Sequence, residues 1–200
     1  MTFLLSSGII QKSVGGDVLI NMVNDINWPQ TRRWLRLDEG AVPRPYRDSK
    51  GIWTVGYGHN MEANPIPLDI LEMIMVNPVP EDGIYPRSLD VLEKCGGLNS
   101  DAATALLNID IESVLSWLIP IFPGWDLWVP PRKSALVNMG FNLGPKRFQA
   151  FDTFIPLVQA AQWIGAADDL SNTEVAHELI PRYRRIGGTI RTGEWPLELS

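Results

Sequence analysis

From Glu39 to Gly58 the chain is punctuated so densely that few local paths are open to it. Gly40, Pro43 and Pro45 end any helix that precedes them. Ser49-Lys50-Gly51 is a turn sequence with glycine where a positive φ is needed. The run IWTVGYGH is rich in β-branched and aromatic residues, so it predicts the return strand of a hairpin. Gly56 and Gly58 predict bends or close backbone approach within it. Ahead of this stretch a helix starts near Trp28. Asn27 is its N-cap, Pro29 sits in its first turn, and Trp34, Leu35 and Leu37 give it an inward face. Glu39 therefore falls on the last turn of a helix, Asp48 at a hairpin turn nine residues on, and Thr54 on the return strand six later.

A carboxylic acid, a carboxylate and a hydroxyl brought together suit acetal hydrolysis. The acid protonates the leaving glycosidic oxygen, and the carboxylate with the hydroxyl positions a water or stabilises an oxocarbenium-like transition state. The two carboxyl groups must be held in different protonation states. Spacing alone does not select this chemistry, because an aspartate at a turn usually serves the turn itself.

Around this stretch the chain divides into residues 1–30, an N-terminal extension, and residues 31–200, one domain. In the extension, DVLINMVNDIN reads as a short amphipathic helix that Gly15-Gly16 keeps from growing longer. Residues 60–97 hold Pro65, Pro67, Pro78, Pro80 and Pro86, and read as an enlarged proline-rich loop with one short helix in LDILEMIMVN. From Ser100, read as an N-cap, a helix with apolar Ala103, Leu106, Leu107, Ile109, Val114, Leu115 and Leu118 runs to Pro120. A second begins at Pro130-Pro131 and runs to Gly144. Shorter ones follow near 147–160, 162–170 and 174–186, the last reaching about Thr192. The expected class is α+β, predominantly α-helical: a small β-hairpin or sheet lobe near 40–60 and a larger helical lobe after 100.

Composition removes several functions. The formal net charge of −6 disfavours non-specific nucleic-acid binding and adhesion to anionic membranes. Arg182, Arg184, Arg185 and Arg191, and Arg132, Lys133, Lys146 and Arg147, still concentrate positive charge; each group reads either as a solvated face or as an anion-facing patch. No run of about 18 apolar residues predicts a membrane span. The opening MTFLLSSGII has no basic residue before its apolar run and makes a poor secretory signal. Cys95 is the lone cysteine and cannot form an internal disulfide. Two histidines, His59 and His177, lack metal-ligand spacing, so neither a metal nor another cofactor is expected. His177 reads as a helix surface residue. Among the aromatics, Trp34, Trp163 and Trp195 read as core, and Trp53 as facing away from Thr54. Tyr57 and Phe141 are divided between core and cleft.

The residues Asp38-Glu39-Gly40, Tyr46-Arg47-Asp48, Gly51, Trp53-Thr54, Gly56, Gly58 and His59 stand in the order and spacing of a known signature. The stretch resembles the lysozymes of the T-even phages and their relatives, the endolysin muramidases. Downstream, Asn99-Ser100-Asp101 resembles the start of that family's interlobe helix, RKSALVNMGFNLG its central buried helix, and PRYRRIGGTIRTGEW its closing arginine-rich helix. The resemblance covers roughly residues 31–196. It implies a lysozyme-like fold with a cleft between two lobes. It also implies hydrolysis, with inversion, of the β-1,4 bond between N-acetylmuramic acid and N-acetylglucosamine in peptidoglycan.

By the same resemblance Glu39 is the general acid, Asp48 orients the attacking water or stabilises developing positive charge, and Thr54 helps hold that water. Arg182, with Arg184 and Arg185 as alternatives, pairs with Glu39. Tyr57, His59, Phe141, Asn142 and Arg182 are the substrate-binding candidates. His59 is also expected in a structural ion pair, with Asp69 or Asp101 as partner. The enlarged 60–97 segment reshapes or covers the cleft rim. The expected setting is an endolysin, a monomer made in the host bacterial cytoplasm and released by a holin to act in the periplasm. A virion- or tail-associated muramidase, a lytic transglycosylase, and a non-catalytic wall-binding protein on the same scaffold are the rivals.

Overall fold

The computed structural model describes residues 26–75 and 88–199. The helix expected in DVLINMVNDIN and the prolines at 78, 80 and 86 lie wholly or mainly outside the described residues. Of the stretch read as an extension, Ile26 is buried in the main core and Trp28 packs against it.

Helix α1 (Trp28–Glu39) begins as its sequence dictates. The Asn27 side chain accepts from the Gln30 backbone N–H, proline stands in the first turn, and Gly40 ends the helix at φ +66°. Trp34 and Leu35 are fully buried. A three-stranded antiparallel sheet follows: β1 (Val42–Arg47), β2 (Trp53–Gly56) and β3 (His59–Asn60). In β1 and β2, Tyr46 pairs with Thr54 and Arg47 with Trp53, with a bulge between Val42 and Tyr46.

The 60–97 segment is more than a loop. It contains α2 (Leu68–Glu72) and α3 (Ser88–Cys95), and their Ile70, Leu71, Val91 and Leu92 form the small lobe's core with Val55, Ile66, Leu98 and Leu106. The short helix expected in LDILEMIMVN is α2, whereas α3 was not expected; a small sheet of short strands has too little apolar surface to fold alone and recruits both. Close approach fixes the seam. Leu98 N–H donates to the Pro43 carbonyl at 2.8 Å, and a Cβ on Gly97 would come within 2.4 Å of that carbonyl oxygen.

Helix α4 (Ser100–Leu118) joins the lobes. Its cap is Asn99, whose side chain accepts from Ala102 N–H, so Ser100 is its first helical residue rather than its cap. With the 3-10 turn that follows, residues Ser100–Ile121 are long and apolar enough to cross a membrane by length and composition, although no unbroken apolar run announced it. The apolarity has an internal use. Ala102, Ala103 and Leu106 enter the small lobe's core, while Leu107, Ile111, Val114, Leu115 and Leu118 enter the large one.

The large lobe is built on α5 (Pro130–Phe148), regular to Leu143 and broken at Gly144 (φ 69°, ψ 170°), where the following proline disfavours helical geometry. Three shorter helices, α6 (Phe154–Gln159), α7 (Trp163–Ser171) and α8 (Glu174–Glu178), complete the lobe with α9 (Ile180–Thr192), which packs on α5 and also against α7 and α8. Helices α4 and α5 cross closely; a Cβ on Gly140 would meet Val114 at 3.0 Å and the Trp117 ring at 3.1 Å. His177 is exposed, as its sequence position suggests.

Gly188 lies exposed inside α9, and an added Cβ would meet nothing within 4 Å. Gly188→Ala is therefore expected to stabilise the protein by about 0.5–1 kcal/mol, by lowering the entropy of the unfolded chain. Urea denaturation would read it; a destabilised variant would show that the glycine is needed in the folded state.

Candidate active site

The C-terminal end of α1 delivers two acids to the junction of the lobes. Glu39 is one-fifth exposed, and its Oε1 accepts from Arg182 Nη1 at 2.7 Å. Its Oε2 lies toward Gly58, where a Cβ would stand 3.6 Å away. Gly58 has φ +90°, a conformation that side chains rarely adopt. The sharp turn between β2 and β3 thus leaves the carboxylate open toward the cleft.

Arg182 is held on three sides. Its Nε donates to Asn138 Oδ1 at 2.8 Å and its Nη2 to the Asn138 carbonyl at 3.0 Å, leaving Nη1 for Glu39. Asn138 Nδ2 in turn donates to Asp38 Oδ2 at 2.9 Å. The Asp38 side chain is 1% exposed, and its other oxygen binds Arg185. Arg185 reaches on to Glu198 at 3.8 Å. Of the three arginines left open by sequence, Arg182 faces Glu39, Arg185 faces Asp38, and Arg184 is exposed.

The basic group in α9 is accordingly not an open anion patch, since Arg191 also pairs with Asp168. In the second group, Arg132 donates to the carbonyls of Ile190 and Arg191 and stacks on Trp163 at 4.3 Å, and Lys133 is buried. Lys146 and Arg147 are exposed.

Asp48 Oδ1 accepts from the backbone N–H groups of Lys50 (2.8 Å) and Ile52 (2.9 Å), so the aspartate closes the hairpin turn. Thr54 is buried, and its hydroxyl donates to the Ile52 carbonyl at 3.1 Å. Facing residues of an antiparallel pair project from the same face, which puts Tyr46 beside Thr54. Arg47 and Trp53 occupy the opposite face, with the guanidinium 4.6 Å from the ring centroid. The Tyr46 hydroxyl is pushed above its usual range by burial, then by the negative charges of Asp48 and Glu39. Both carboxylates therefore bear on this one phenol.

The remaining candidates separate. Phe141 lines an interlobe pocket with Gly58, Asn60, Asn64, Ser113 and Trp117. Asn142 Oδ1 accepts from the Tyr183 hydroxyl at 3.0 Å. Burial pushes Tyr183 up to about 12, so it keeps its proton and remains a donor. Tyr57 packs between the two cores with the Arg36 guanidinium 5.5 Å from its ring, and is not among the pocket's lining residues.

His59 lines the same interlobe pocket as Phe141, but its ring nitrogens are already engaged. It is 3% exposed, with Nδ1 on Asp110 at 2.8 Å and Nε2 on the Asn64 carbonyl at 2.7 Å, so neither ring nitrogen is left for a sugar. Its partner is Asp110, not Asp69 or Asp101. Nine residues beyond Asp101, Asp110 lies where the middle of α4 crosses the sheet.

Burial acts most strongly on His59 and lowers its proton affinity. The hydrogen bond to Asp110, the Asp110 charge and the Asn64 carbonyl outweigh this, so the net direction is upward. A raised folded value means that the stabilisation is fully present below the unfolded value of about 6.5 and is lost as pH rises through the folded one. His59→Asn is therefore expected to flatten the decline in unfolding free energy as pH rises above about 6.5. Denaturant titrations across that window check this; parallel curves for the two proteins would refute it.

Sequence reasoning left three members of the site without a role: Asp38, Asn138 and Tyr46. The signal for Asn138 was present, because Asn138 and Asn142 are two amides one turn apart in the otherwise apolar stretch from Ala135 to Leu143. Among the described residues, no group of three or more His, Cys, Asp or Glu is placed to hold a metal.

A model of the phage lysozyme family matches residues 37–181. The chain is 28% identical over 163 residues to each of two Dictyostelium discoideum proteins, probable T4-type lysozymes 1 and 2. The matches cover 80% of this chain and 92% of each relative. It is also 26% identical over 132 residues to the pre-baseplate central spike protein Gp5 of Enterobacteria phage T4, covering 64% of this chain and 22% of that protein.

Proposed function

The chain belongs to the phage lysozyme family and is a glycoside hydrolase of that family, and on that premise we propose that Glu39, Asp48 and Thr54 carry out its hydrolysis of peptidoglycan glycan strands. The bond cut is the β-1,4 link between N-acetylmuramic acid and N-acetylglucosamine. The observation that carries the reading is the disposition of Glu39: Oε1 is fixed by Arg182 and Oε2 is turned to the gap that Gly58 leaves open. Oε2 delivers the proton to the leaving glycosidic oxygen.

The other face of the sugar is served by two acceptors. Asp48 commits Oδ1 to the turn, leaving Oδ2, and Thr54 commits its hydroxyl proton to Ile52, leaving oxygen lone pairs. A water that donates one hydrogen to each points its own lone pair outward, toward the anomeric carbon. Such a water-mediated displacement inverts configuration. Digestion of purified peptidoglycan, with fragments read by mass spectrometry, tests the activity. Reducing muramic ends are expected, anhydro-muramic ends would indicate a transglycosylase, and no cleavage would leave only the wall-binding reading.

For the biological role we propose an endolysin, released from the host cytoplasm by a holin to reach the wall. The likeness to Gp5 supports a second reading, in which the same chemistry is carried in the virion. Detection of the protein in purified virions separates the two.

A further inference from the structure

We propose that Tyr46 is a positioning residue for hydrolysis: its hydroxyl, unbonded among the described residues, donates a hydrogen bond to the Asp48 carboxylate when the attacking water is bound, and so fixes the oxygen that orients that water. The inference rests on the water-holding role given to Asp48 above. Its own support is geometric. Tyr46 stands directly opposite Thr54 in the register of β1 and β2, and Asp48 follows two residues later, so all three belong to one face of the hairpin. The phenol is half-buried, and among the described residues its hydroxyl has no hydrogen-bond partner. The charges that bear on it are those of Asp48 and Glu39. It therefore stays neutral and can only donate to them.

The donor fills a specific gap. Asp48 Oδ1 is anchored by two backbone N–H groups, whereas among the described residues Oδ2 accepts no hydrogen bond. The water uses Oδ2 and the Thr54 oxygen as acceptors and gives nothing back to hold either of them still. A phenol proton on the free side of Oδ2 restrains the carboxylate's rotation without competing for the water's second hydrogen.

The test uses the full chain, with Tyr46→Phe and Asp48→Asn measured in parallel on soluble peptidoglycan glycan fragments. Tyr46→Phe removes one oxygen, and kcat is expected to fall roughly tenfold with KM and melting temperature unchanged. The difference in alkaline tyrosine absorbance between wild type and Tyr46→Phe isolates the Tyr46 titration. In an Asp48→Asn background, that titration is expected at lower pH, because a negative charge beside it is gone. A Tyr46→Phe enzyme with wild-type kcat, a loss in KM alone, or a Tyr46 titration indifferent to Asp48→Asn overturns the proposal while leaving Asp48 in place. Full hydrolysis by Asp48→Asn itself removes the role of Asp48, and that of Tyr46 with it.

Discussion

Glu39→Gln is expected to lower kcat on the order of a hundred- to ten-thousand-fold, the range that positioned proton transfer supplies, while the protein stays folded. The substitution separates two uses of one side chain. As an acid, Glu39 must carry a proton to the glycosidic oxygen, and an amide cannot. As a partner of Arg182, it need only accept at Oε1, and the glutamine carbonyl still does so from the same position. Arg182 also keeps its two bonds to Asn138 and its neighbour Asp38 at 4.0 Å. The loss of unfolding free energy is therefore held to about 1–2 kcal/mol. Turnover on peptidoglycan and urea denaturation, measured on the same preparation, check the split. A variant that unfolds readily yet hydrolyses at the wild-type rate when folded would make Glu39 a structural anchor for Arg182 and remove it from the chemistry.

How much of this was legible in the chain follows from how local each interaction is. The order of helix, hairpin and strand around Glu39 was readable because Asn27, Gly40, Ser49-Lys50-Gly51 and Gly58 act within a few residues of themselves. The two long helices were readable for the same reason, apart from the shift of the α4 cap from Ser100 to Asn99. The small lobe's core was not, because Ile70 and Leu92 meet only after a proline-rich excursion that has no period of its own. The partner of His59 was missed on similar grounds. Asp69 and Asp101 are nearer in sequence, but the middle of α4 brings Asp110 to the ring across 51 positions. The arginines show the limit most clearly. Four charges in ten residues read equally as a solvated face or an anion-facing patch, yet two are spent on Glu39 and Asp38 in the site and a third on Asp168 at the surface.

That spending makes Asp38→Ala the most damaging single change expected for stability. The Asp38 carboxylate is almost wholly shielded from water and binds Arg185 through one oxygen and Asn138 through the other. Arg185 would keep only Glu198, at 3.8 Å and half-exposed, and its own Nε already lacks a partner among the described residues. Removing one member of a buried ion pair costs about 3–5 kcal/mol, because the surviving charge is left uncompensated. For a chain of this size that is a fall in melting temperature on the order of 6–20 °C. The effect should also reach the active site. Without Asp38 the Asn138 amide loses the acceptor that orients it, and Asn138 is what fixes two of the three Arg182 nitrogens. Turnover of the folded fraction is therefore expected to fall as well, by less than for Glu39→Gln. A second change separates charge from packing. If the cost is Arg185 stranded in low dielectric, Asp38→Ala combined with Arg185→Met should be more stable than Asp38→Ala alone, since removing both partners leaves no orphaned charge. Strictly additive losses in the double variant, or a single-variant loss under about 1 kcal/mol, would show that the network orients Arg182 without supporting the fold.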